Sequence, residues 1–233
     1  MGVLSLGIAE LDRDLGGGIS IPSLLSIEGE YGSGKTILAQ QLVHAALLSG
    51  LRVLVVSSEA TVKEYLSKME SVKLDAYSNY TSGQLKVYPL HVEGGRWSKF
   101  LSSFFLQVTS NFLEVKKKSY DVIIIDSLSA LTVETPPHEF LTFITRMKNL
   151  VSDGKSVIIT FHPEFLCEET IMKLRAASDA YFVLKNTNVS GIDVKLLKVV
   201  KLWGGHGDRK SSITLEVNPE IGLRVMPLAG VKI

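Results

Sequence analysis

Residues 29–36 run Gly-Glu-Tyr-Gly-Ser-Gly-Lys-Thr, the spacing GxxxxGK[ST]. Each residue type has a task in holding a polyphosphate. Glycines let the backbone curl until successive N–H groups point at phosphate oxygens. A lysine at position 35 reaches the outer phosphates, and the hydroxyl of Thr36 suits a magnesium ion. A helix starting near Lys35 adds the positive end of its dipole. Chance produces such a string in roughly one chain in a hundred of this length, so context decides. Here an apolar stretch (23–28) precedes the loop and a helical pattern follows. The expected nucleotide ligands are therefore Gly29, Glu30, Tyr31, Gly32, Ser33, Gly34, Lys35, Thr36 and Ile37, with ATP and Mg²⁺ as the bound species.

A second string, DVIIID (121–126), ends an apolar strand in a carboxylate. Open α/β sheets bind ligands at the carboxyl ends of their strands. Asp126 is thus expected at the Mg²⁺ site, behind the ion's direct ligands or touching it through water. An Asp at a strand end also serves as a cap; the upstream phosphate loop favours the metal role. Hydrolysis further needs a group that positions water. Glu59 follows the strand at 52–57, which is expected beside the first strand of the sheet. The same glutamate also suits the first turn of a helix on dipole grounds alone. Thr160 and His162, at the end of SVIITF (156–161), are placed to sense the terminal phosphate, although a lone histidine there is equally an ordinary packed residue.

The elements that must position these groups alternate. Strands are expected at 23–28, 52–57, 84–90, 121–126, 156–161 and 180–185. Helices are expected at 35–49, 61–71, 98–115, 138–151 and 164–176. Near-continuous apolar strands between helices predict an α/β fold with a mostly parallel sheet covered on both faces. The tail differs: 194–203, 211–217 and 222–228 are strands joined by short turns, expected as antiparallel additions to one edge. No repeat or linker divides the chain, so residues 1–233 are expected to form one domain.

Composition narrows the function. The 233 residues carry 25 Lys and Arg against 24 Asp and Glu, a net charge of +1. That balance argues against a nucleic-acid binder. A hydrophobic share of 45% supplies a core and excludes disorder. The single cysteine, Cys167, excludes an intrachain disulfide or a cysteine-rich zinc site and is expected at the surface or in packing. With no long apolar run and no signal-peptide start, the expectation is an intracellular soluble protein.

Together these residues resemble the RecA-like ATPases, and the KaiC branch in particular. Besides the two nucleotide motifs, the resemblance rests on Gly7-Ile8-Ala9-Glu10-Leu11-Asp12 with Leu15-Gly16-Gly17-Gly18-Ile19, and on the stretch 196–228. It implies a RecA-like P-loop NTPase core. Two departures stand out. KaiC-like domains usually carry two adjacent glutamates after the second strand, and here the pair is Ser58-Glu59. Their basic strand ends in Lys-x-Arg, both reaching a neighbouring subunit's nucleotide, and here it reads Lys201-Leu202-Trp203. Lys201 keeps the implied role across the interface. Trp203 cannot neutralise developing charge, which implies slow turnover or binding without turnover; the residue also suits packing on the sheet edge. Arg209 or Lys210 could compensate.

A KaiC-like domain with an eroded site most resembles the ATP-binding subunits of the archaellum motor, the FlaH or ArlH type. That resemblance implies a nucleotide-dependent cytosolic ring beneath the membrane, expected to be hexameric; the near-neutral charge adds the expectation of no nucleic-acid partner. Its implied partners are the motor ATPase and the platform membrane protein. Two alternatives stay open: a KaiC-like ATPase or autokinase using Glu59 with Ser127 or Ser129, and a RadA-like recombinase paralogue. Among weaker features, Lys116–Lys118 is expected as a solvated turn. Leu101, Phe104, Phe105, Val108 and Phe112 recur at near-helical spacing and are expected to face the core.

Overall fold

The structure, a computed structural model, describes residues 2–90, 99–133, 135–189, 191–204, 209–218 and 222–226. Strands β1 (Gly2–Leu4) and β2 (Ile19–Ile21) pair antiparallel across helix α1 (Ala9–Asp14). Then come β3 (Leu24–Gly29), α2 (Lys35–Leu48), β4 (Val53–Ser57), α3 (Val62–Ser71), α4 (Tyr77–Thr81), β5 (Leu85–Pro89), α5 (Lys99–Lys116) and β6 (Val122–Asp126). The chain continues through α6 (Pro137–Ser152), β7 (Ser156–Phe161), α7 (Glu168–Ala177), β8 (Ala180–Val189), β9 (Ile192–Leu202), β10 (Ser212–Asn218) and β11 (Gly222–Val225).

Nine strands form one sheet in the order β11-β10-β9-β8-β3-β7-β6-β4-β5. From β8 to β5 all neighbours are parallel, and β9, β10 and β11 are antiparallel additions at one edge, as expected. Every residue of β4, β6 and β7 is buried, because helices cover both faces. Side chains alternate between two cores. Leu25, Ile27, Val55 and Ile124 pack with Leu38, Leu42 and Tyr65 on one side. Leu24, Val56, Ile123 and Ile159 pack with Leu113, Phe140 and Met147 on the other. Truncating one of these buried aliphatics to Ala costs about 2–5 kcal/mol. Helix α3 starts at a capping box: Glu64 N–H donates to Thr61 Oγ1 at 3.3 Å, and Thr61 N–H donates to Glu64 Oε2 at 2.8 Å.

Four expectations change. Strand β4, expected beside β3, is separated from it by β7 and β6. The largely apolar and fully buried β6 and β7 take the centre, where both faces are covered, and the more polar, partly exposed β5 goes to the edge. Helix α5 meets its expectation only in part: Phe105 and Phe112 pack, half-buried, against the core, Phe104 and Val108 are exposed, and Leu106, Thr109, Ser110 and Leu113 are buried. Small hydroxyl residues let α5 approach α6, where Arg146 donates to Ser110 Oγ at 3.2 Å. Trp203 does not pack on the sheet edge; it is 67% exposed, just past the end of β9. The last predicted helix begins later than expected, at Glu168, because a 3₁₀ turn at Pro163–Phe165 comes first. Residues 227–228 of the expected final strand lie outside the described residues. Lys117 pairs with Asp153 in the exposed turn after α5, and Cys167 is exposed ahead of α7.

Candidate functional site

Strand β3 delivers the chain to the carboxyl edge of the sheet, where residues 30–34 turn into α2. Gly29 is required by close packing: a Cβ there would lie 2.5 Å from Ser33 Oγ and 2.7 Å from the Leu184 carbonyl oxygen. Gly34 caps α2 at φ +95°, left-handed backbone that favours glycine. The free N–H groups of the first turn of α2 therefore face the loop's hollow.

Lys35 is 5% exposed and folds back into that hollow. Its Nζ donates to the Glu30 carbonyl at 2.7 Å and lies 3.3 Å from His162 Nδ1. Burial lowers the lysine's pKa, opposed by the charges of Glu59 and Asp126. Burial also lowers that of His162, helped by Lys35, so the imidazole is neutral at pH 7. A neutral ring facing an ammonium must accept at Nδ1 and carry its proton on Nε2. That proton is then donated to Glu59 Oε1, 3.2 Å away. His162 is fixed by its backbone N–H, which donates to Ser129 Oγ at 2.8 Å, and by the Tyr31 ring, whose centroid is 4.0 Å from its own. The result is a chain Lys35–His162–Glu59 from the loop to the end of β4. Glu59 thus reaches the loop although its strand is not β3's neighbour.

Asp126 ends β6 fully buried. Its Oδ1 accepts from Thr160 at 2.6 Å and from Thr36 at 3.3 Å. Burial pushes its carboxyl up to about 6, opposed by the Thr160 hydrogen bond. The hydroxyls of Ser33 and Ser127 are also buried here and have no hydrogen-bond partner among the described residues. Hard oxygen donors of this kind suit Mg²⁺, and a ring of loop amides suits phosphate. The residues present fit both groups. A cavity of about 360 Å³ joins Thr36, Ile37, Lys35, Glu59, His162 and Val217.

All the residues expected from residues 29–37, with Glu59, Asp126, Thr160 and His162, come together. Lys201 does not. It pairs with Tyr181 near the start of β8, whereas Gly29 is level with Leu184. Its Nζ donates to the Ala176 carbonyl at 3.2 Å, away from this chain's own loop. Lys210 is engaged too, donating to the buried Asp14 at 2.8 Å. Two residues at the loop escaped sequence reasoning, Lys195 on β9 and Asn186 on β8. Nothing local marks Lys195 among the lysines of its strand.

The fold and this edge-sited loop define a RecA-like protein of the KaiC type. A family model described as ATPase: KaiC matches residues 4–229. The chain is 36% identical to the archaeal flagellar ATP-binding protein FlaH of Sulfolobus acidocaldarius, over 97% of this chain and 98% of that one. It is 30% identical to the protein of the same name from Methanocaldococcus jannaschii, over 97% of each. The crystal structure of flagellar accessory protein FlaH from the same archaeon aligns with a TM-score of 0.83 at 26% identity, covering 97% of this chain and 98% of that one. The chain belongs to the KaiC-type ATPases and, within them, to the FlaH family of archaeal flagellar ATP-binding proteins.

Proposed function

We propose that this protein binds ATP with Mg²⁺ at the loop of residues 29–37 and acts as a regulatory, assembly-controlling subunit of the archaellum motor. The observation that carries the reading is the meeting of Lys35, Thr36 and Asp126 at the carboxyl edge of the parallel strands, in a chain of the FlaH family. In this reading the amides of the loop hold the phosphates and Lys35 exchanges the Glu30 carbonyl for phosphate oxygen. Thr36 and Asp126 would hold Mg²⁺, which would supply neutralisation of the phosphate charge. Glu59 orients a water through its free carboxylate oxygen while His162 holds the other. Thr160 keeps Asp126 in place.

Hydrolysis is slow or absent in isolation, because Trp203 stands where the KaiC pattern has a neutralising arginine. A single domain of this kind assembles into a ring in which Lys201 of one copy reaches the nucleotide of the next. The position of Lys201 far from its own loop supports that role. The ring is cytosolic and peripheral to the membrane, docked on the motor ATPase and the platform protein. Consistent with a peripheral placement, no helix among the described residues is long and apolar enough to cross a membrane.

Copurification from the source cell tests the pathway. The motor ATPase is expected to come down with the wild-type protein in the presence of ATP–Mg²⁺. Recovery of a DNA-repair complex instead, with no motor component, would overturn the assignment.

A further inference from the structure

A loop that turns its amides inward must turn its carbonyls outward, and those carbonyls need partners. The Glu30 carbonyl accepts from Ser33 N–H at 3.2 Å and from Lys35, and the Gly34 carbonyl accepts from Leu38 N–H at 3.0 Å. The two carbonyls at the loop's tip lean on the antiparallel edge of the sheet. Lys195 Nζ donates to the Gly32 carbonyl at 2.7 Å, and Asn186 Nδ2 approaches the Tyr31 carbonyl at 3.5 Å. The two side chains brace each other: Lys195 Nζ also donates to Asn186 Oδ1 at 2.6 Å. They stand directly opposite in the β8–β9 register. The stem of Lys195 runs along Gly34, its Cγ 3.8 Å from where a Cβ on that glycine would sit. Lys195 also lines the same cavity as Lys35 and Thr36.

From this geometry we infer that Lys195, braced by Asn186, is a positioning residue that holds the Gly32 carbonyl out of the phosphate hollow and so keeps the loop open for a nucleoside polyphosphate. The inference rests on the nucleotide reading above. Without the ammonium, the Gly32 peptide is free to turn, which would aim a carbonyl oxygen at phosphate and withdraw an amide. The effect belongs to the loop as a whole, so it falls alike on nucleoside di- and triphosphates. A terminal-phosphate sensor would act on the triphosphate alone. Arginine can replace lysine here, since it offers N–H donors and a charge at similar reach.

The test measures ATP and ADP affinities, each with Mg²⁺, for wild type, Lys195→Met and Lys195→Arg. Methionine keeps the aliphatic stem on Gly34 and removes the charge and its hydrogen bonds. Loss of a charge-assisted hydrogen bond predicts binding of both nucleotides weakened by about tenfold in Lys195→Met, with the same factor for each. Lys195→Arg should recover affinity to within about threefold on the same grounds. The nucleotide-free melting temperature, which a purely structural role would lower, should stay unchanged in Lys195→Met. Should Lys195→Met unfold, Asn186→Ala removes the brace alone and should weaken both nucleotides in parallel. Wild-type affinity in Lys195→Met, loss of ATP binding with ADP spared, or failure of arginine to rescue would each overturn the clamp. A wild type that binds neither nucleotide would remove the nucleotide reading itself, a result distinct from all of these.

Discussion

Replacing Lys35 with Ala separates a residue kept for its ligand from one kept for the fold. The ammonium is buried, and without a nucleotide it satisfies itself on the Glu30 carbonyl at 2.7 Å and beside His162 at 3.3 Å. Removing it forfeits a hydrogen bond to a charged group, about 1.5–3 kcal/mol. It also removes the cost of burying that charge, which is of the same order and opposite sign. The nucleotide-free stability of Lys35→Ala should therefore stay within about 1 kcal/mol of wild type, from the near-cancellation of those terms. Nucleotide binding has no such compensation. Loss of a charge-assisted phosphate contact should weaken ATP at least tenfold, about 1.4 kcal/mol or more. The assay is thermal unfolding with and without ATP–Mg²⁺, backed by calorimetric titration. At a hundredfold excess over Kd, ligand binding stabilises by about 2.7 kcal/mol. For a chain of this size that raises the wild-type melting temperature by roughly 5–10 °C. The shift should shrink sharply in Lys35→Ala. A folded variant with wild-type ATP affinity would refute the reasoning.

The remaining expectations concern turnover, assembly and pH. The isolated protein should hydrolyse ATP below about 0.1 s⁻¹, under the range of efficient enzymes; steady-state rates above about 1 s⁻¹ without a partner would contradict the role given to Trp203. Light scattering should show more oligomer with ATP–Mg²⁺ than without, because a ligand held by two subunits favours the assembled state. The gain should be smaller in Lys201→Ala, and an oligomer distribution indifferent to ATP would remove the switch. Finally, Arg52 donates to both carboxylate oxygens of Asp121, at 3.0 and 2.9 Å, and this hydrogen bonding holds Asp121 at about 2 against an ordinary 3.8. A depressed carboxylate contributes stability that is complete above the unfolded value and is lost as pH falls through the folded one. The pair is partly exposed, so screening reduces its worth to about 1 kcal/mol. Asp121→Asn should be less stable by that amount at pH 7, with the gap closing between pH 4 and 2 as measured by urea unfolding. A constant gap across that window would refute the linkage.

Much of the site was legible because its signals are local. The glycines of residues 29–34 serve backbone geometry within one turn, so their spacing carries the loop without reference to the rest of the chain. Asp126 follows from a run of β-branched residues ending in a carboxylate, and strand type is likewise written in apolar runs between turns. The antiparallel edge was legible for the same reason, since short turns separate its strands. What sequence could not determine is lateral order and long-range pairing. Whether β4 lies beside β3 depends on which strands best fill a centre covered on both faces, a competition among strands rather than a property of one. Glu59 reaches His162 over 103 positions of chain, and Lys195 reaches Gly32 over 163. No spacing rule encodes either contact. The inward face of α5 was decided by how closely α6 could approach, which buried Thr109 and Ser110, kept Phe105 and Phe112 half-buried on the core and left Phe104 and Val108 outside. Trp203 was left exposed just past the end of β9, where β8 still pairs with the strand but the register with β10 has stopped at Lys198, a fact of tertiary geometry that composition and periodicity do not contain.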